Sequence, residues 1–331
     1  MKKKALVVLI VLFIWSLFLS DTVLAAWTQA KGHAYNQLTF SYYVTRERFT
    51  TVKYDGAGFS NSGTIHSTGG GVEKVQTAKF TSTGFTYYGE YGITDSLTVF
   101  TGIPFWKWSY SDDTVKYSGG RGPSGVGDID FGLRYNLFPS LLGNVVSIQG
   151  AVKIPETYKY EHPLTDLSLG DGQYDAMFLL QAGRGLGKGY AWLNAGYKFR
   201  FENEKHDPFN FKPSDQIKVS LGGGYSVTSW LSIRGLVDWT KSVGNASVSQ
   251  ELIVENYKYG GFARSEDNVL IRDTLGLEPD ALTAGIDLAF NIKSNIQAVL
   301  SYNRDLEGIK PFESKDWSLG DTFSLALVYM F

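Results

Sequence analysis

The chain has 331 residues, of which 43% are hydrophobic, 15% aromatic and only 19% charged, with 37 glycines and a formal net charge of −2. The aromatic load excludes disorder, the lack of a basic excess argues against nucleic acid as a partner, and the absence of cysteine excludes disulfide, thiolate-metal and thiol redox chemistry. The length fits one large domain or two small ones.

Lys2, Lys3 and Lys4 precede the apolar run from Ala5 to Leu19, and Val23-Leu24-Ala25 stands ahead of Ala26. This pattern predicts a secretory signal peptide over residues 1–25, cleaved after Ala25, where small side chains suit the cleavage site. An uncleaved helix is the alternative, because Ala5 to Leu24 is nearly long enough to cross a bilayer. No later segment holds 18 consecutive apolar residues, so no transmembrane helix is expected in residues 26–331.

From residue 34 onward the dominant signal has period two, which sends alternate side chains of a strand to opposite faces. Ile129, Phe131, Leu133, Tyr135 and Leu137 share one face, opposite Asp128, Asp130, Gly132, Arg134 and Asn136. The pattern predicts strands over 34–48, 77–91, 97–108, 128–137, 145–155, 173–183, 190–202, 214–226, 230–241, 281–292, 295–305 and 321–331. Several exceed the five or six residues usual in soluble proteins and reach the length a tilted strand needs to cross a bilayer. Short links near 92–96, 138–144, 184–189, 227–229 and 293–294 alternate with long ones near 49–76, 109–126, 156–172, 203–213, 242–280 and 306–320. The expectation is an all-β, transmembrane, antiparallel up-and-down β-barrel of about twelve strands over residues 26–331, with short turns in the periplasm and long loops outside. A β-sandwich, with shorter strands, fits poorly. Another hairpin within 49–76 or 242–280 would raise the strand count.

The inward faces then carry Asp128, Asp130, Arg134, Lys153, Asp175, Lys198, Arg200, Glu202, Lys218, Arg234, Asp238 and Asp287. On the lipid side an Arg or Lys would cost roughly 2–4 kcal/mol at the midplane, so their segregation supports this orientation. Such a set can act as a selectivity field or as an ion-pair network bracing a narrow lumen; the balance of signs favours bracing for most of them. Aromatic residues near strand ends, including Phe105, Trp230, Trp239, Trp317, Tyr42, Tyr43, Tyr87, Tyr88 and Tyr91, suit an interfacial girdle. Trp106, Trp108 and Trp192 are either girdle residues or inward rings that stack on a solute. At the C-terminus Phe323, Leu325, Leu327, Tyr329 and Phe331 alternate with smaller residues, the signature read by the outer-membrane barrel insertion machinery.

Enzymatic readings find little support. His33, His66, His162 and His206 are scattered without metal-type spacing, and no His-x-Ser segment of the kind used by outer-membrane phospholipase lies on a predicted strand. Asp112 with Asp113, and Glu266 with Asp267, are loop carboxylates better suited to solvent or surface cations than to catalysis. Gly69-Gly70-Gly71 fits an external loop and Gly183 to Gly189 a tight turn, since neither has the Lys-Ser/Thr ending of a phosphate loop. No cofactor and no metal is expected.

The segment Ser124-Gly125-Val126-Gly127-Asp128-Ile129-Asp130-Phe131-Gly132-Leu133-Arg134-Tyr135 resembles part of the outer-membrane barrel family associated with the meta-cleavage pathway of phenol degradation. Tyr91 to Leu97, Gly172-Gln173-Tyr174-Asp175 and Asn194 to Arg200 extend the likeness, which covers roughly 80–325. It implies a barrel that passes or binds small, often hydrophobic compounds, and it carries over no catalytic residue. The expected function is passive outer-membrane uptake of small solutes, hydrophobic or aromatic compounds among them, through a lumen narrowed by charges and gated by loops near 49–76 and 242–280. The alternative is a surface binding or adhesion protein acting through its long loops. Outer-membrane lipid, the insertion machinery and an unidentified small solute are the expected partners.

Overall fold

A computed structural model describes residues 26–50, 54–55, 63–67, 71–74, 78–112, 122–164, 168–265, 275–315 and 318–331; the expected signal peptide, Asp113, Glu266, Asp267 and Trp317 lie outside these residues. Long strands follow the alternation closely: β1 (Ala34–Thr50), β2 (Ala78–Thr94), β3 (Leu97–Asp112), β4 (Ile129–Leu141), β5 (Asn144–Ile154), β6 (Asp175–Leu186), β7 (Gly189–Arg200), β8 (Asp215–Ser226), β9 (Leu231–Val243), β10 (Ala281–Lys293), β11 (Ile296–Leu306) and β12 (Leu319–Met330). Each pairs antiparallel with its sequence neighbour, and β1 pairs with β12 from Tyr35↔Met330 to Glu47↔Leu319, so the 12-strand barrel is closed.

Burial is inverted relative to a soluble protein. Leu38, Phe131, Phe178, Leu193, Leu221 and Leu300 are exposed on the outer wall, whereas Gln149, Gln181 and Arg134 are buried inside. In hydrocarbon the backbone has no water to pair with, so strands can cross only as a closed barrel with this apolar outer wall. Phe323, Leu325, Leu327, Tyr329 and Phe331 are all exposed on it, and backbone bonds of 2.8 and 3.1 Å between Ala34 and Phe331 complete the seam. β1 and β2 have 17 residues, more than the roughly 9–11 a crossing needs, and run beyond the bilayer at the long-loop end. There Arg304 pairs with Asp321 at 2.8 Å and Glu47 at 2.9 Å, the ion pairs of a wetted rim.

The turns differ sharply in kind. β4 and β5 are joined through Leu142 (φ 53°) and Gly143 (φ 79°), both positive as a type I′ hairpin turn requires. The loop 242–280, by contrast, contains α1 (Gln250–Ser265), which the period-two signal does not reveal. Ser249 caps it, its Oγ accepting from Leu252 N–H at 3.2 Å, with Glu251 in the first turn. Short strands Tyr54–Asp55, Gly63–Ser67, Phe211–Lys212 and Ala246–Val248 form a second small sheet. Leu252, Ile253, Phe211, Val248, Leu164 and Leu277 pack beside it into a core of their own. Apolar side chains outside the bilayer need this shelter from water, and three long loops supply it together.

Candidate functional site

At the long-loop end, Lys153 near the end of β5 is surrounded by Asp171 at 2.8 Å, Asp175 at 3.0 Å and Asp128 at 3.3 Å. Lys198 on β7 meets Asp175 at 2.7 Å, and Arg200 meets Asp171 at 3.5 Å. The Tyr158 hydroxyl donates to Asp128 at 2.6 Å. Lys153, then Arg200, hold the Asp171 carboxyl well below the usual range. Of the expected lumen charges, this cluster gathers Asp128, Lys153, Asp175, Lys198 and Arg200. It adds Asp171, which alternation could not find because it lies in the loop before β6. Asp130 lies beside it, exposed to the lumen.

Glu202 is a correction: the alternation places it in the lumen, but β7 ends at Arg200 and Glu202 is exposed beyond it. The β6 side pairs one residue further, Phe201 N–H donating to Tyr174 O at 3.0 Å, but on the β8 side the Arg200 N–H is taken by the Asp215 carboxylate at 2.9 Å and the chain leaves the ladder.

The short-turn half of the lumen holds a chamber of about 1330 Å³ that reaches the rim at Trp230 and Ser294. Carboxamides from five different strands (Gln37 on β1, Gln149 on β5, Gln181 on β6, Asn194 on β7 and Gln297 on β11) alternate around it with Tyr35, Tyr88, Tyr190 and Trp192. Two glycines on β8 make room for two of these rings. A Cβ at Gly222 would lie 2.6 Å from Trp192 Cζ2, and one at Gly224 would lie 2.5 Å from the Tyr190 ring. The rings therefore lie along the wall and leave the middle open.

Residues preceding β1 fold into this chamber and are tied to its wall. Glu90 on β2 is buried against Arg134 on β4 at 3.0 Å, and Arg134 also donates to Gln149 at 3.1 Å and to Trp27 O at 3.0 Å. The other Glu90 oxygen accepts from the Gln29 amide at 2.7 Å, Thr98 Oγ1 accepts from Gln29 N–H at 2.7 Å, and the Ser147 hydroxyl donates to Ala26 O. Gly183 lies under the Trp27 ring, where a Cβ would come within 2.3 Å. Of these residues, Arg134 alone is in the expected lumen set; Glu90, Gln149 and the 26–29 segment carry no periodic signal that links them.

The remaining expected residues separate. Arg234 and Asp287 are cross-strand neighbours lining the chamber, and Arg234 donates to Gln297 Oε1. Lys218 donates to Thr240 Oγ1, with Asp238 inward on the adjacent strand. Trp192 lines the chamber, whereas Trp106 and Trp108 do not: Trp106 lies against Gly84 and Gly127, and Trp108 packs edge-on to Phe80 at 6.0 Å. Tyr43 and Tyr88, assigned to a girdle by position, face inward, Tyr88 into the chamber. His162 and His206, far apart in sequence, have ring centroids 5.2 Å apart in the loop core.

No family model matches the chain, and no curated protein matches it in sequence. Among solved structures, an outer-membrane channel of Pseudomonas putida F1 superposes with a TM-score of 0.65 at 15% identity, over 94% of this chain and 100% of that one. The translocator domain of the autotransporter NalP from Neisseria meningitidis (TM-score 0.42, 8% identity, 92% and 90% covered) and a Pseudomonas aeruginosa FadL homologue (0.40, 11%, 89% and 90%) are more distant. The first establishes the fold, a barrel of the outer-membrane kind; the other two scores are too low to add to it.

Proposed function

We propose that the protein is an outer-membrane channel for passive uptake of small solutes, aromatic compounds among them. The chamber is the observation that carries this reading: a barrel serving only as an anchor has no use for a volume of about 1330 Å³ ringed by amides and aromatic rings and reaching the rim. In this orientation the short turns face the periplasm, the apolar wall contacts outer-membrane lipid, and the exposed residues Phe323 to Phe331 are those the insertion machinery would read. The superposed P. putida protein is itself described as an outer-membrane channel, which agrees with this reading without supplying a solute. In this reading, gating of the outer mouth falls to the long loops near 49–76 and 242–280.

Planar-bilayer conductance and liposome swelling with purified protein test the proposal: discrete conductance steps and entry of small aromatic solutes are expected. A barrel impermeable to ions and every small solute would overturn it. That result would favour a barrel-anchored binding protein, for which the separate loop core around α1 would be the working surface.

A further inference from the structure

We infer that the chamber contains a binding site for a small aromatic carboxylate, with Arg234 as partner of the carboxylate and Trp192 as the platform for the ring. This rests on the channel reading and narrows its solute class.

Arg234 stands apart from the other lumen arginines. Arg134 is paired with Glu90 and Arg200 with Asp171, whereas Arg234 forms no ion pair among the described residues and donates to the neutral Gln297 amide. A guanidinium presents five donors in a planar fork that matches a carboxylate, so one bonded to a single neutral acceptor in a cavity retains capacity for an anion. Asp287 is its cross-strand neighbour at the same level, yet the two form no ion pair among the described residues. With Glu90 and Arg134 cancelling, the charges lining the chamber are Arg234, Lys293 and Asp287, leaving one positive charge in excess.

The surroundings supply the rest of the ligand's complement. Tyr190, Gly224 and Arg234 are consecutive cross-strand partners, and the Tyr190 hydroxyl lines the chamber with no hydrogen-bond partner among the described residues. It can donate to the same carboxylate. Trp192, Gly222 and Leu236 form the next inward level, two residues or about 7 Å along the strands, enough for one ring attached to that carboxylate. A bare hydrocarbon would fit worse, because it would strip water from Gln297, Asn194 and the guanidinium without replacing a hydrogen bond.

The test uses the purified full chain in detergent, titrated with benzoate, benzyl alcohol and benzylamine and followed by calorimetry and tryptophan fluorescence. Benzoate is expected to bind saturably, at least about tenfold more tightly than the alcohol or the amine, and Arg234→Gln to weaken benzoate by at least about tenfold while leaving benzyl alcohol unchanged. Asp287→Asn, which removes the neighbouring negative charge, is expected to tighten benzoate binding, a gain that a folding defect cannot mimic. Benzylamine binding as well as benzoate, or an unchanged benzoate affinity in Arg234→Gln, would overturn the inference. Arg234-dependent binding in a barrel that conducts nothing would uphold the site and defeat the channel; conductance without benzoate preference would do the reverse.

Discussion

At the long-loop end of the lumen Lys153 has three carboxylates within 3.3 Å, whereas in the chamber Arg234 donates to an amide and meets no carboxylate among the described residues. Both regions are built on the same alternation of inward polar and outward apolar side chains. In the first, opposite charges converge from β5, β6, β7 and the two loops that carry Asp128 and Asp171, and their fields cancel. In the second, amides and aromatic rings dominate and one positive charge stays in excess. A charge-balanced network rigidifies a wall and offers little to a passing solute, while a guanidinium with no carboxylate partner among the described residues offers donors. Under the proposed function, bracing falls to one end and recognition to the other.

The Glu90–Arg134 pair sharpens this most strongly, because it is a brace located inside the recognition half. The Glu90 side chain is only 3% exposed, so Arg134→Met leaves a buried carboxylate without its cation and is expected to cost about 3–5 kcal/mol. It also frees the backbone of Trp27. Thermal melts in detergent should show the loss, and Glu90→Gln combined with Arg134→Met should recover much of it. A destabilisation confined to a few tenths of a kcal/mol would mean that the 26–29 segment is not held by this clasp.

Gly222→Ala addresses the chamber itself. The new Cβ would sit 2.6 Å from Trp192 Cζ2, so the ring must swing inward. Single-channel conductance is expected to fall severalfold and stability by about 1–3 kcal/mol, since the Cβ also meets Gly235 O at 2.9 Å, and Gly222→Ala with Trp192→Ala should restore conductance but not the whole of the stability. Unaltered conductance in Gly222→Ala would show that the solute path avoids Trp192.

How much of this was legible in the sequence follows from the same physics. A strand's two faces repeat every two residues, so alternation located the twelve strands, the apolar wall and the terminal Phe323 to Phe331 stripe. Alternation gives a side chain's face but not its partner, which is why Arg134, Arg200 and Arg234 look alike in sequence and differ in the folded protein. Asp171 and the Ala26 to Gln29 segment belong to loops, where no period exists to read. α1 hides because its apolar residues, Leu252 and Ile253, pack against other loops rather than along a regular stripe. Glu202 was misplaced because a strand end is set by a competing bond, here Arg200 N–H to Asp215, that composition does not announce.

The pH dependence should arise mainly from the braced end. Asp171 has its carboxyl held below its ordinary value by Lys153, so it contributes stability that is fully present above its unfolded pKa of about 3.9 and is lost as pH falls through its lower folded value. Through Asp171 the wild-type melting midpoint should drop on acidification below about pH 4, partly offset by Asp128, whose carboxyl burial pushes up. Asp171→Asn is expected to start lower at neutral pH and to depend less on acid. A variant with the same acid profile as wild type would remove Asp171 from the brace.

The smallest effect is expected at the opposite rim. Leu142 adopts φ 53° in the turn between β4 and β5, a conformation that costs an ordinary side chain roughly 1 kcal/mol and that Asn tolerates better. Its side chain is 87% exposed, so little packing is lost on replacement. Leu142→Asn is expected to raise stability by about 0.5–1 kcal/mol while leaving conductance and benzoate binding unchanged, since the turn touches neither region. Stability measured by melts and binding by calorimetry would then move independently. If relieving this turn altered benzoate affinity, the rim and the chamber would be coupled, and recognition could not be assigned to the chamber wall alone.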